Sequence, residues 1–490
     1  MNIKTRTIGF VFAAILVLLP LLSKAQDYNE YVKQQQEKFS AYSDKVNKDF
    51  DEYRKKINAE YARYMREKWE AFEAFKAEKF PMGVKPKRQP EKKPDYTPPT
   101  IPRIKFDSVV EMPMPTPISP KLPEIKTIPD YIPIFSFDFF NTPCKVRLDK
   151  LIAFTLKEIT EDAIADEWLL LSDGRTDLLV IDCLSLKYDL ELCDWAYIVM
   201  LEKLSSSILE GRPNEAVLLQ MYLLVQSGYK VRIAIADTSL VLLVPFDGKV
   251  YEYDYITIDG ERFYIMGDKQ DYDSYNAFGV AFPNEQTPSL RIQKLPKLSE
   301  STKKYKSFVS ERYPEVSVNV SSNKNLMDFL ETYPLCTWDY YAYASLSESL
   351  KKELYPILRT KIASESVTDA ANMLLDFVQT AFEYQTDDEQ FGYERPLFGD
   401  EIFYYPFSDC EDRSILYSIL VHDLLGLDVV LLHFPGHLAT AVYFPDEVDG
   451  IYLTLEGKKY MVCDPTYIGA DIGVCMPEYI EEDYRVYKLK

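Results

Sequence analysis

The sequence predicts an α+β protein in which a helix-plus-antiparallel-sheet unit occurs twice in tandem, preceded by a long N-terminal helix. Three observations predict it. Two stretches 198 residues apart share one order of helix, glycine, strand and hairpin; residues 27–80 contain neither glycine nor proline; and fourteen prolines in the 53 residues from Pro81 to Pro133 set that stretch apart. A chain of 490 residues also exceeds one ordinary hydrophobic core, so several domains are expected.

Residues 1–25 read as a signal peptide. Lys4 and Arg6 precede an apolar run from Ile8 to Leu22, and Ser23 and Ala25 stand at the small-residue positions of a cleavage site before Gln26. The expected location is secreted or periplasmic, with no transmembrane segment after cleavage. No cysteine follows the site, so no lipid anchor is expected. A net charge of −21 lacks the basic stripe that a phosphate backbone requires, which argues against nucleic acid as a partner.

Residues 26–80 read as one amphipathic helix with an eleven-residue repeat. Tyr28, Phe39, Phe50, Tyr61 and Phe72 form one row; Tyr31, Tyr42, Tyr53, Tyr64 and Phe75 form another. Eleven residues in three turns, about 3.67 per turn, keep such rows nearly straight along the helix. The stripe suits docking on the protein's own body, self-association as a coiled stalk, or a protein partner. Residues 81–135 form a linker or strap, because proline forbids sustained helix and central strand.

The body divides into 136–320 and 321–490. Pro213 to Ile233 and Glu411 to Leu431 each run from a helix through a glycine, Gly228 or Gly426, into a strand. Both then continue through hairpins whose turns match, Ile258-Asp259-Gly260 against Leu455-Glu456-Gly457. The shared continuation is what makes a duplicated unit the better reading.

Seven cysteines, Cys144, Cys183, Cys193, Cys336, Cys410, Cys463 and Cys475, leave at least one thiol without an internal partner. Cys183 with Cys193 and Cys463 with Cys475 are candidate disulfides. Cys410 differs from the rest because it starts a helix, after Ser408-Asp409, where unpaired amides and the positive helix end favour a thiolate. The only histidines, His422, His433 and His437, all follow it. His422 lies about 18 Å along the helix by its rise, too far to take the thiol proton. His433 has the place of a structural neighbour. His437 opens a strand, and Asp464 ends the adjacent one before Pro465, where a carboxylate can accept the second imidazole N–H. Cys410, His437 and Asp464 thus form a candidate nucleophile, base and orienting acid.

Asp409-Cys410-Glu411-Asp412, Gly436-His437 and Asp464-Pro465-Thr466 together resemble the transglutaminase-like superfamily, which includes bacterial cysteine peptidases. The resemblance covers roughly Ser366 to Tyr479. It implies a papain-like helix-plus-sheet fold, the Cys410–His437–Asp464 triad, a peptide or protein substrate, and neither metal nor organic cofactor. Ser408 departs from a glycine common in relatives. The oxyanion-stabilising side chain has no unambiguous match; Tyr404 and Tyr405 are candidates, beside the amide of Cys410.

In the first copy the corresponding positions hold Arg212, Ser239 and Gly267, none of which can carry out thiol chemistry. That copy is expected to hold substrate, shield a cleft or widen the core. The expected function is an exported thiol enzyme acting on peptide or glutamine amide bonds. The competing class is a non-catalytic, envelope-associated scaffold, supported by the arm, the strap and the degenerate copy.

Overall fold

The structure, a computed structural model, describes residues 51–78, 103–116, 132–149, 152–267 and 274–489, with Lys33, Lys48, Lys92, Lys93, Ile118 and Tyr272. The expected signal peptide and nearly all of the helix before residue 51 lie outside the described residues. Helix α1 (51–67) is followed by strands β1 (Trp69–Phe72), β2 (Phe75–Lys76) and β3 (Ser108–Glu111) and by a hairpin, β4 (Ile134–Phe139) with β5 (Thr142–Arg147). Helices α2 (Glu161–Leu171), α3 (Asp177–Asp189), α4 (Asp194–Ile208) and α5 (Pro213–Gln226) lead to β6 (Arg232–Ala236), β7 (Ser239–Val244), β8 (Asp254–Ile258), β9 (Glu261–Ile265) and β10 (Tyr275–Phe278).

A second hairpin, β11 (Tyr305–Val309) with β12 (Ser317–Ser321), precedes helices α6 (Lys324–Leu330), α7 (Trp338–Tyr343), α8 (Glu348–Ile362) and α9 (Val367–Thr380). Then come β13 (Glu383–Tyr384), α10 (Asp387–Gln390), α11 (Gly399–Ile402), β14 (Phe407–Ser408) and α12 (Cys410–Leu425). The chain ends in β15 (Val429–Phe434), β16 (His437–Tyr443), β17 (Tyr452–Leu455), β18 (Lys458–Cys463) and β19 (Arg485–Lys488). Mixed α+β architecture is thus observed.

The first sheet has the order β1-β10-β6-β7-β9-β8-β2, and the second, read from the corresponding edge, β3-β19-β15-β16-β18-β17. Five central strands therefore follow one order in both. The registers correspond as well: Ala236 faces Ser239 and Phe434 faces His437, while Leu243 faces Ile265 and Ala441 faces Val462. The hairpin turns match in backbone: Asp259 and Gly260 have φ of 51° and 81°, Glu456 and Gly457 of 51° and 79°. Two successive positive φ values make the turn whose twist suits a two-residue hairpin.

The expected helix over 26–80 is corrected in its last part. α1 stops at residue 67, and Trp69–Phe72 and Phe75–Lys76 are strands on opposite edges of the first sheet, β1 against β10 and β2 against β8. Only Glu73 and Ala74 separate them, so the sheet must curl until its edges approach. Unpaired N–H and C=O groups on those edges outweigh the helix propensity of the segment. The strap treats the second sheet in the same way. Arg103 bridges to Tyr452 on the β17 edge, and β3 pairs with β19 on the other. The aromatic rows do not form one buried stripe: Tyr61 is buried, whereas Tyr53 and Phe75 are half exposed.

Within α1, Tyr61 packs on Trp168, Phe278 and Phe282, with ring centroids 5.0–5.1 Å apart. Buried Asn58 accepts hydrogen bonds from Trp168 Nε1 and Gln226 Nε2, both at 3.2 Å. Asn58→Ala leaves these two donors unpaired, so a loss of about 1–3 kcal/mol is expected. Faster amide exchange across 51–67 with little change in α12 is the measurable outcome; unchanged exchange in α1 would show that its docking does not depend on Asn58.

One continuous apolar core runs through both halves, and two smaller clusters lie on single sheets. The expected disulfides are not formed: all seven cysteines are free. Cys183 lies in the core on α3, while Cys193 caps α4 and accepts from the Ala196 amide at 3.5 Å. Cys463 sits buried at the end of β18, its thiol directed to the Met461 carbonyl at 3.5 Å.

Candidate active site

Helix α12 starts at Cys410, where the Asp409 N–H donates to Asp412 Oδ2 at 3.2 Å; the Asp409 carboxylate has no hydrogen-bond partner among the described residues. The helix ends at Gly426, whose φ of 68° is the left-handed conformation glycine adopts without strain. Between these ends α12 packs on α9, β15 and β16. Ser414 ties it to β16 by a 2.9 Å hydrogen bond to the Leu438 carbonyl, which brings the first turn of the helix beside His437.

His437 Nε2 lies 2.9 Å from Asp464 Oδ2, and both residues are buried. The imidazole stacks on Tyr479, with centroids 4.8 Å apart and planes at 16°. Asp464 Oδ1 accepts from the amides of Thr466 and Tyr467 at 2.9 and 3.2 Å. The Gln379 side chain fixes the same loop by donating to the Asp464 and Ala470 carbonyls at 2.9 and 3.0 Å. With Nε2 engaged by Asp464, Nδ1 is the ring nitrogen left for a proton transfer.

Cys410 does not complete a hydrogen-bonded triad. Its thiol donates to Glu411 Oε2 at 2.9 Å, and no hydrogen bond joins it to His437. The expected lowering of its pKa is also corrected. Burial raises the thiol pKa well above the ordinary range, the carboxyl groups of Glu411 and Asp409 add to this, and a hydrogen bond at the Leu438 backbone opposes it. That last contact places the sulfur against the residue following His437.

Buried acids surround the thiol. Asp387, Asp409 and Glu411 each bring an oxygen within 4.8 Å of the others, a spacing that could hold a cation among carboxylates. Burial and mutual repulsion push all three pKa values up, Asp387 to about 11, and burial raises Asp412 to about 7. Protons therefore do at neutral pH what a cation would do by charge. Arg413 is the buried counter-charge. It donates to the carbonyls of Gln379 and Phe382 at 3.0 and 2.6 Å and to Ser408 Oγ at 3.3 Å.

Tyr404 and Tyr405 are placed elsewhere than expected. They pack on each other, Tyr405 also on Phe391 and under Arg395, and neither hydroxyl hydrogen-bonds within the site. The tyrosine beside the thiol is Tyr384, whose pKa is raised by burial and then by Cys410, and over whose ring the Arg413 guanidinium lies at 5.3 Å. Nothing in the local sequence of Tyr384, Gln379 or Tyr479 marks them, since each arrives from a separate element. His422 is exposed near the end of α12. His433 is buried edge-on against Trp338 at 4.6 Å, and burial lowers its pKa to about 4.

In the first half, Arg212 precedes α5 and donates to the Phe154 carbonyl at 2.5 Å. Ser239 and Gly267 line a cavity of about 590 Å³. Neither that cavity nor a second of about 410 Å³ beside His422 is lined by Cys410, His437 or Asp464. No family model, curated protein or solved structure matches this chain.

Proposed function

We propose that the second half is a thiol acyl-transfer or amide-hydrolysing domain of transglutaminase-like, papain-like type, held closed in the form described here. The observation that carries this reading is the 2.9 Å His437–Asp464 pair, with the Cys410 sulfur against the backbone of the next residue, Leu438. In the reaction, the Cys410 proton passes to His437 Nδ1 and the sulfur bonds to the carbonyl carbon of a peptide or glutamine amide. The C–N bond then breaks, and the leaving nitrogen takes the proton from His437. Water releases an acid from the thioester; an amine would form a new amide. Activation requires the thiol to leave Glu411 and turn to His437 Nδ1.

The two halves are read as copies of one unit, on their common strand order and registers, with the first having lost its chemistry at Arg212, Ser239 and Gly267. Export to the periplasm or outside rests on the pattern of residues 1–25. No helix among the described residues is long and apolar enough to cross a membrane. A protein partner or self-association remains assigned to the part of the N-terminal helix before residue 51.

A second reading, a non-catalytic scaffold, is favoured by the Cys410–Glu411 bond and the closed site. Alkylation with iodoacetamide across pH, located by mass spectrometry, separates the two. Catalysis predicts that labelling of Cys410, once the site opens, depends on His437 while labelling of the other six cysteines does not. It also predicts a slowing of about tenfold in His437→Ala, tenfold being one pKa unit. Labelling indifferent to His437 would leave the scaffold reading.

A further inference from the structure

The cavity of about 590 Å³ in the first half lies where the second half has its histidine and aspartate: Ser239 and Gly267 line it at the register positions of His437 and Asp464. Across from them its wall comes from the second half, through Tyr333, Glu394, Arg395, Phe398 and Glu401. A space of this size accommodates a small ligand or a few side chains of a peptide.

Its lining has one sign of charge. Glu252, Asp254, Glu331, Glu394 and Glu401 face a single cation, Arg395, whose guanidinium is held by Glu401 at 2.6 Å. The side chains of Glu252, Asp254 and Glu331 make no hydrogen bond or ion pair among the described residues. Tyrosines fill much of the remaining wall, including Tyr251, Tyr253 and Tyr341. Carboxylates beside aromatic faces attract a desolvated ammonium or guanidinium group and repel an anion. Tyr333 also lends its ring to the wall, while its hydroxyl is buried towards Cys336, Cys193 and Asp247.

We propose that this cavity binds a basic side chain of a peptide, a lysine ammonium or arginine guanidinium, so that the first half serves recognition at the position where the second half carries its polar pair. The site does not depend on thiol chemistry, and failure of Cys410 labelling leaves it untouched. The wall is bonded to the acids around the thiol, since the Arg395 amide donates to Asp387 Oδ2 at 2.5 Å and the Leu397 amide to Asp412 Oδ1 at 2.7 Å.

The test is calorimetric titration of the full chain, at physiological salt, with the peptide acetyl-Ala-Lys-Ala-amide, its arginine counterpart and its ε-acetyl-lysine counterpart. Saturable one-to-one binding of the two basic peptides is expected, with the acetylated peptide at least tenfold weaker. Paired replacement of Glu252→Gln and Glu331→Gln, both exposed, should weaken binding at least fivefold. Glu315→Gln with Glu365→Gln, exposed positions outside the cavity, should leave affinity within twofold. Absence of saturable binding overturns the proposal. So does equal weakening by the two pairs, which would trace the attraction to the net charge of −21.

Discussion

Arg413→Ala is expected to lower the unfolding free energy by about 3–5 kcal/mol, the range for removing one partner of a buried charge network. The guanidinium is 1 % exposed and closes the C-terminal end of α9 through the Gln379 and Phe382 carbonyls. Truncation leaves both carbonyl acceptors unpaired. Arg413→Lys should recover only part of the loss, because an ammonium lacks the planar fork that reaches two carbonyls and Ser408 together. Urea unfolding followed at α12 by hydrogen exchange reads the effect locally in a chain of several cooperative units. A loss below about 1 kcal/mol would mean that water satisfies those carbonyls and that the arginine is dispensable to the fold.

Stability is expected to fall by at least about 2 kcal/mol between pH 6.5 and pH 8, one retained proton's worth, opposite to the usual behaviour of carboxylates. Asp387, with its pKa raised to about 11, keeps its proton in the folded chain, while the unfolded carboxylate has already lost it. A carboxylate raised in this way contributes most below its unfolded pKa, and its contribution is lost as pH rises towards the folded one. One retained proton weighs about 1.4 kcal/mol per pH unit, hence the expected size over 1.5 units. Asp412, raised to about 7, adds to the slope near neutrality. His433 has the opposite sign. Its folded pKa of about 4 lies below the unfolded value, so acidification through pH 6.5 costs stability. Below pH 6.5 the histidine offsets about one retained carboxyl proton, so the alkaline decline flattens there. Asp387→Asn keeps the acceptor for the Arg395 amide and should flatten the alkaline slope by about one proton. Thermal melts from pH 5 to pH 8 in the presence of a chelator, so that no cation replaces the proton, measure both slopes; a stability that rises from pH 6.5 to 8 contradicts this account of the acids.

Local pattern made much of the second half legible. The strand over His437 to Tyr443, the helix start at Cys410, the glycine at 426 and the paired turns at 259–260 and 456–457 are short-range features, and each appears where sequence spacing put it. The encounter of His437 with Asp464 could be read from adjacent strands because register carries strand-end residues to one place. The N-terminal arm failed at its end for a reason of the same kind. Helix propensity is local, but the edges that recruit Trp69–Phe72 and Phe75–Lys76 belong to strands about two hundred residues away.

The site's electrostatics were not legible. A helix N-terminus lowers a thiol pKa only where the helix end is the dominant neighbour, and here Glu411 and Asp409 stand closer than any sequence rule implies. Tyr384 and Gln379 came from other elements, and Tyr404 and Tyr405 were misplaced because consecutive aromatics on a short connection face whatever packs against them. The disulfide pairs failed because spacing says nothing of direction, and Cys193 faces its own helix amides.

By itself the sequence determined the order of helix, glycine and strand in each half, the two-residue turns and the start of a helix at Cys410. All of these depend on neighbours a few residues apart. Only the tertiary structure decided that the arm lies on both edges of the first curled sheet and the strap on those of the second, that buried acids hold the Cys410 thiol protonated, and that the first half has a cavity beside Ser239 and Gly267. Those depend on burial and on charges from distant segments, whose energies arise only once water has been excluded between them.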